Sequence, residues 1–425
     1  MLTLNNLKKI GLLLAAFLLM GASPDADDAT LRGLIEEALK NSPEIQASLS
    51  RIEAAKYRVP QAGSLPDPMF MFGYQNEGFD RYSYGEEQGS QWMFSASQQF
   101  LFPGKRTLKE DMVKRDVEGM EAMHELLKLK TVTRVKELYY DLFLAHKNID
   151  LIADKRHILV SIEELTLTRY TAGKAMQQEV LMAQAEKYML LEKEEMLKQK
   201  IQSLEAMLSA VLGRQNANAL PNPSEPAYKV FPLSIEEAVD MALKRSPEVK
   251  YRSKMIETAE IKHSMAKKEY YPDFAITGGY YNRKNDFKDM WSATATINIP
   301  LYFLTKQKPA VMEAKVNISS ARQELEAVKL MVTAAVKDNY SMLRSSEKLM
   351  DIYKTGLIPK NRQDVEQALS GYNTGRTEVV VVISRAKNLL DYELLYWSQF
   401  VEREKAIARL QAIAGFDQSA GGESK

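Results

Sequence analysis

Two groups of side chains carry what ligating chemistry this sequence has. His124, His146 and His157 fall on one predicted helix, and Met69, Met71 and Met93 fall on two predicted strands. The histidines are separated by 22 and 11 residues, close to one stripe by angle. Eleven residues of helix rise about 16 Å, however, so no two of them share an ion within one helix. Thioethers suit Cu(I), yet methionines serve equally as adaptable apolar filler. No metal ligand set is assigned. The absence of cysteine excludes disulfides, thiol catalysis, thiolate metal sites and a lipid-bearing cysteine. There is no phosphate loop, nucleophile elbow or metalloprotease helix. Neither catalytic residues nor a cofactor is expected, and the chain reads as a non-enzyme.

The more telling residues punctuate rather than ligate. "RYTAGK" (169–174) and "GYNTGR" (371–376) each interrupt a long helical stretch with an aromatic, a glycine and a base. Gly173 and Gly375 suit the left-handed residue that ends a helix, and Lys174 and Arg376 follow as exposed bases. Such breaks are helix-reversing tips, and exposed tips on rigid helices suit a docking partner.

The elements around them are written twice. "ALKNSPEI" (38–45) returns as "ALKRSPEV" (242–249), and "LPDPMFMFGYQN" (65–76) is echoed by "YPDFAITGGYYN" (271–282). Tyr170 and Tyr372 stand 202 residues apart, as do Gly213 and Gly415. Ordered landmarks at near-constant spacing define a tandem duplication, far longer than a solenoid repeat. The expected layout is a first repeat over 23–214, a linker over 215–233, a second repeat over 234–415 and a disordered tail over 416–425. Each repeat carries a first helix (30–62, capped by Thr30; its twin from Ser234), then a β-hairpin (66–102 or 272–303). A long helix follows (105–169 or 307–370), and then a return helix (175–213 or 377–414). Prolines after Ser42 and Ser246 bend or restart the first helix of each repeat.

Ahead of this, Lys8 and Lys9 precede the apolar run 10–22, and "SPDADD" then turns polar. This reads as a signal peptide over 1–22, too short to anchor a membrane comfortably. With 57 basic against 56 acidic residues, nothing argues for nucleic acid.

The strands alternate with period two. Trp291, Ala293, Ala295, Ile297 and Ile299 share one face, and Ser292, Thr294, Thr296 and Asn298 the other. Ser95, Ser97 and Gln99 form the matching hydroxyl- and amide-rich face in the first repeat. Strands of this length with aromatic ends suit a bilayer crossing, with the polar face toward a watery lumen. The long helices instead step by three and four through Val135, Leu138, Leu142, Ala145, Ile149, Ile152, Leu159 and Ile162. In the second repeat the same steps run through Ala321, Leu325, Val328, Val332, Ala335, Asn339, Met342, Leu349 and Tyr353. This is a coiled-coil seam. Four strands cannot close a barrel, since the smallest barrels use eight, and open edges in lipid cost several kcal/mol per unpaired group. Several copies must therefore pool their strands; two give eight and a lumen filled by side chains, three give twelve and room for water.

This layout resembles the TolC family of outer-membrane efflux ducts over nearly the whole mature chain. The resemblance rests on the duplication, the two Y-x-x-G-[KR] tips and "LIPKNRQDVEQALSGY" (357–372) with its Pro359. "AGSLPDPMF" (62–70) and "FLFPGKR" (100–106) look most like the heavy-metal, CusC/CzcC-like branch. It implies a mixed α+β membrane protein, a homotrimer whose twelve-stranded barrel continues as a helical coiled-coil periplasmic tunnel. It implies a place in the outer membrane, and no catalysis. Small toxic solutes, metal ions or drugs, would arrive from an inner-membrane RND-type pump through a periplasmic adaptor, a membrane fusion protein. The adaptor would meet the tips at Tyr170, Gly173, Lys174, Tyr372, Gly375 and Arg376. Where family members place aspartates beyond the second tip, this chain has "TEVVVVISR" (377–385), with Val381 and Ser384 near those positions, so an aspartate-ring gate is not carried over. Two alternatives remain: a duct for type I protein secretion, and a soluble periplasmic coiled-coil scaffold.

Overall fold

The computed structural model describes residues 25–215, 220 and 222–415. The leader expected over 1–22, the tail expected over 416–425 and part of the linker expected over 215–233 lie outside the described residues. The elements begin with α1 (Asp25–Asn41), α2 (Pro43–Gly63), β1 (Met69–Gln75), β2 (Gln91–Phe100), α3 (Lys105–Thr171) and α4 (Gln177–Val211). They continue with α5 (Ile235–Arg245), α6 (Pro247–Lys268), β3 (Asp273–Asn282), β4 (Met290–Asn298) and α7 (Gln307–Asp351). A π-helical turn (Ile352–Leu357), α8 (Ile358–Asn373) and α9 (Val379–Ile413) complete the chain. Among the described residues no helix is long and apolar enough to cross a membrane.

Local chemistry explains where these elements break. The helix expected over 30–62 is two, because Pro43 disfavours helical backbone at Ser42 and α2 starts at the proline. Ser246, before Pro247, has left the helix in the same way, at φ −53° and ψ 124°. Thr30 is not a cap: α1 already starts at Asp25. Ser234 does cap α5. Its Oγ accepts the Glu237 N–H at 3.3 Å, and the Glu237 carboxylate accepts the Ser234 N–H at 2.8 Å. The helix expected over 307–370 is interrupted at 352–357. Pro359 has no N–H to offer the Thr355 carbonyl, and the backbone widens there, with Ile358 N–H reaching back five residues to Tyr353.

The chain forms two compact units, each drawing on both halves of the sequence. One comprises 47–125 and 247–330; the other comprises the segments up to 46, 126–246 and from 331. The first holds a four-stranded antiparallel sheet in the order β1-β2-β3-β4. Beside it, Ile52, Ala55 and Val117 form a small buried cluster with Val59. Among the described residues the outer edges of β1 and β4 have no strand partner.

The second unit is helical. Val135, Leu138, Leu142 and Ala145 of α3 are buried with Leu204 and Leu208 of α4 and Phe400 and Val401 of α9. Further along, Ile152, Leu159 and Ile162 pack with Ala183, Leu190, Val382 and Ile383. The first-repeat seam thus lies where the three-and-four stepping puts it. In α7 the buried line is Val332, Val336, Asn339, Leu343, Ser346 and Met350, so Ala335, Met342 and Leu349 sit beside the seam. Apolar residues occupy adjacent positions there, and stepping alone does not choose between two neighbouring lines.

Candidate functional site

Both tips lie in the helical unit and share one backbone solution. At the first, Gly173 (φ +71°) donates to the Tyr170 carbonyl at 2.9 Å and Lys174 N–H donates to Arg169 at 2.8 Å. At the second, Gly375 (φ +75°) donates to Tyr372 at 3.0 Å and Arg376 N–H donates to Gly371 at 2.8 Å. Each is the paired-bond motif that closes a helix on a left-handed residue, which glycine adopts without a Cβ penalty. After the reversals, Glu179 and Glu378 stand in or before the first turn of the return helices, where a carboxylate suits the dipole.

The side chains of the two tips differ. Tyr170, Lys174 and Arg376 are exposed. Tyr372, expected among the docking residues, is 1 % exposed: its ring is turned inward against the first hairpin. Its hydroxyl lies 3.1 Å from Thr166 Oγ1 and 3.2 Å from Glu179 Oε2, and Thr166 Oγ1 donates its own hydrogen bond to the Ile162 carbonyl at 2.7 Å. Burial, with the Glu179 carboxylate adding to it, holds the Tyr372 phenol above its ordinary value. Arg169 donates to the Tyr372 carbonyl at 2.5 Å and lies over the ring. Below the tips, Glu393 of α9 forms an ion pair with Lys155 at 2.8 Å and accepts Arg362 at 3.2 Å, tying α3 and α8 to one carboxylate. Sequence reasoning missed the apolar surroundings of the first tip. Leu167, Tyr170, Met176 and Leu181, all within seven residues of Lys174 in the chain, are exposed, Met176 at 70 %. Their exposure was legible only as apolar residues outside the seam.

The sheet sorts its residues by parity. Lateral rows run Met71, Ser95, Gly279, Ser292 and Met69, Ser97, Thr277, Thr294, then Gln99, Ala275, Thr296. Ser95, Ser97, Gln99, Ser292, Thr294, Thr296 and Asn298 therefore share one face, together with Met69, Met71 and Met93. Thr277 Oγ1 donates across that face to Ser97 Oγ at 2.8 Å. The opposite face carries Phe70, Phe72, Phe94, Ile276, Trp291 and Ile297, all exposed. Phe72 stacks on Trp92 at 5.2 Å, and Phe100 on Phe274 at 5.3 Å.

The histidines are not brought together. His124 is buried with Nδ1 3.2 Å from Ser48 Oγ, His146 has a buried Nε2 without a partner, and His157 is exposed. Among the described residues no three histidine or carboxylate side chains are placed to hold a metal ion.

The sequence matches the model of the outer membrane efflux protein family over residues 34–214 and 238–414. No curated protein matches it. Among solved structures, the fold is similar to the outer membrane protein VceC of Vibrio cholerae, at TM-score 0.78 and 17 % identity, covering 91 % of this chain and 96 % of that one. It is similar to CusC, at TM-score 0.77 and 14 % identity, covering 92 % of each. It is likewise similar to the CmeC outer membrane channel of Campylobacter jejuni, at TM-score 0.73 and 15 % identity, covering 92 % and 86 %. CusC is one such neighbour among several, so the likeness does not single out a heavy-metal branch.

Proposed function

The chain belongs to the outer membrane efflux protein family, and from that premise we propose that it is the passive, trimeric outer-membrane duct of a tripartite efflux system. The observation that carries the trimer is the sheet: four strands whose outer edges, at β1 and β4, pair with no strand among the described residues, with one apolar face and one hydroxyl-rich face. Three such sheets joined β4 to β1 close twelve strands, leave no edge in lipid and enclose a lumen wide enough for water. The face of Ser95, Ser97, Gln99, Ser292, Thr294, Thr296 and Asn298 lines that lumen, and the aromatic face meets lipid. The tandem repeats over 23–214 and 234–415 each contribute one hairpin to the barrel and one helical hairpin to a periplasmic tunnel.

The adaptor docks on Tyr170, Lys174 and Arg376, with Gly173 and Gly375 shaping the tips. Leu167, Met176 and Leu181 supply an apolar rim that suits a partner helix. The duct supplies passage alone, and an inner-membrane RND-type pump supplies energy to export small toxic solutes, metal ions or drugs. The test is photo-crosslinking in intact cells from an unnatural residue at 170 or 376, with mass-spectrometric identification of the attached protein. A periplasmic adaptor is the expected product. Recovery of the mature chain in the soluble periplasm would leave the scaffold alternative standing instead.

A further inference from the structure

The two strand-to-helix crossovers of this duplicated chain are built differently. After β2, four residues (101–104) lead to α3. There Phe102 stacks on Tyr271 at 4.5 Å, and the buried Lys105 places Nζ 2.9 Å from Asp273 Oδ1 and 3.2 Å from the Tyr271 carbonyl. After β4, eight residues (299–306) lead to α7. This longer crossover is folded in its own right: Thr305 and Lys306 N–H groups donate to the Tyr302 carbonyl at 3.1 and 2.9 Å, and Lys308 N–H to Phe303 at 2.8 Å. It nonetheless turns its apolar side chains outward. Tyr302 is 78 % exposed and Leu301 74 %, with Ile299, Phe303 and Leu304 exposed beside them. Tyr270 extends the patch, its ring 6.4 Å from Phe303.

We propose that residues 299–306 form an interfacial anchor seated in the periplasmic phospholipid leaflet of the outer membrane. The proposal rests on the reading of the apolar sheet face as lipid-facing. Ile299 continues the parity of Trp291, Ala293, Ala295 and Ile297, so the patch prolongs that face beyond the last paired residue. An ordered turn of leucines, phenylalanine and tyrosine has the composition that settles at a headgroup boundary, apolar bodies in the acyl region and the phenol in the wet layer. The exposed Lys306 and Lys308 follow at once, placed to meet anionic headgroups. In the first repeat Phe102 is half-buried and stacked on Tyr271, so among the described residues the outward apolar turn belongs to the second crossover.

The chain has no native cysteine, so single-cysteine variants take a nitroxide label without background. The full-length protein carrying Tyr302→Cys or Leu304→Cys is reconstituted in vesicles of phosphatidylethanolamine and phosphatidylglycerol. Collisions with oxygen are compared with collisions with a water-soluble nickel complex. Ala295→Cys reports the strand and Phe79→Cys the exposed β1–β2 connection. The expected result is an oxygen-to-nickel ratio at 302 and 304 severalfold above that at 79, and below that at 295. Nickel-dominated collisions at 302 with lipid-like values at 295 would overturn the anchor and leave the barrel orientation intact. An immobilised label at 302 with low collision rates for both oxygen and nickel would assign the patch to a neighbouring copy and overturn the anchor as well. Water-like values at 295 would overturn both readings together.

Discussion

Arg169 Nη1 donates to the Tyr372 carbonyl at 2.5 Å, and its guanidinium carbon sits 4.7 Å from the centre of the Tyr372 ring. One residue of the first tip thus holds backbone and ring of the second, while the Tyr372 hydroxyl reaches back to Thr166 and Glu179. Tyr372→Phe keeps the ring and the guanidinium contact but removes that hydroxyl, at a cost of about 1 kcal/mol. Tyr372→Ala also empties a buried site, at about 3–5 kcal/mol. Amide hydrogen exchange is expected to quicken at both 169–176 and 371–378 in either variant. A response confined to the second tip would show that the two are not coupled.

Gly173 and Gly375 share a positive φ but differ in surroundings. A Cβ at Gly173 meets nothing within 4 Å, whereas one at Gly375 lies 3.5 Å from Arg169 Nη2. A β-branched residue at either site carries the left-handed penalty of about 1–2 kcal/mol; at 375 it also comes into van der Waals contact with the Arg169 clasp. Gly375→Val is expected to lower resistance to exported toxicants more than Gly173→Val, with trimer yield unchanged in both. Equal, normal tolerance in the two strains would count against docking through the tips.

Much of this was legible in the sequence, for identifiable reasons. Period-two alternation at Trp291–Ile297 survives because a strand has only two faces, so the pleat alone sorts Ser292 from Ala293. The tips were legible because a left-handed residue selects glycine. What was hidden depends on neighbours distant in sequence. The same Y-x-x-G-[KR] motif carries an exposed Tyr170 and a buried Tyr372, a difference set by Thr166, Arg169 and Glu179 of the other hairpin. Pro359 was visible in its helix, but the π turn that accommodates it is a backbone adjustment that apolar spacing does not record.

Ala295 lies on the apolar face of β4, opposite Ile276 on β3. Arginine there is expected to cost about 2–4 kcal/mol per chain if the position is near the bilayer midplane. The Ser292→Arg substitution one parity away, on the hydroxyl-rich face proposed to line the lumen, is expected to leave assembly largely intact and alter conductance instead. Trimer yield by mild-detergent electrophoresis and single-channel conductance separate the two. Loss of trimer with Ser292→Arg but not with Ala295→Arg would invert the assigned faces.

Glu404 of α9 is buried against Arg403, which also donates to the Lys229 carbonyl at 2.5 Å and to Glu347 at 3.2 Å. Burial outweighs the neighbouring guanidinium and raises the Glu404 carboxyl from 4.5 to about 6. The folded state therefore holds this proton more tightly than the unfolded chain. The stabilisation is complete below pH 4.5 and is lost as pH rises through about 6, leaving a deficit of about 2 kcal/mol at neutral pH. Glu404→Gln keeps an acceptor for Arg403 and never ionises. It is expected to melt higher than the parent above pH 6 and level with it below pH 4.5. Thermal melts across that range check this. A gap between the two proteins that stays constant with pH would mean that some other loss or gain, and not the proton on Glu404, sets the difference.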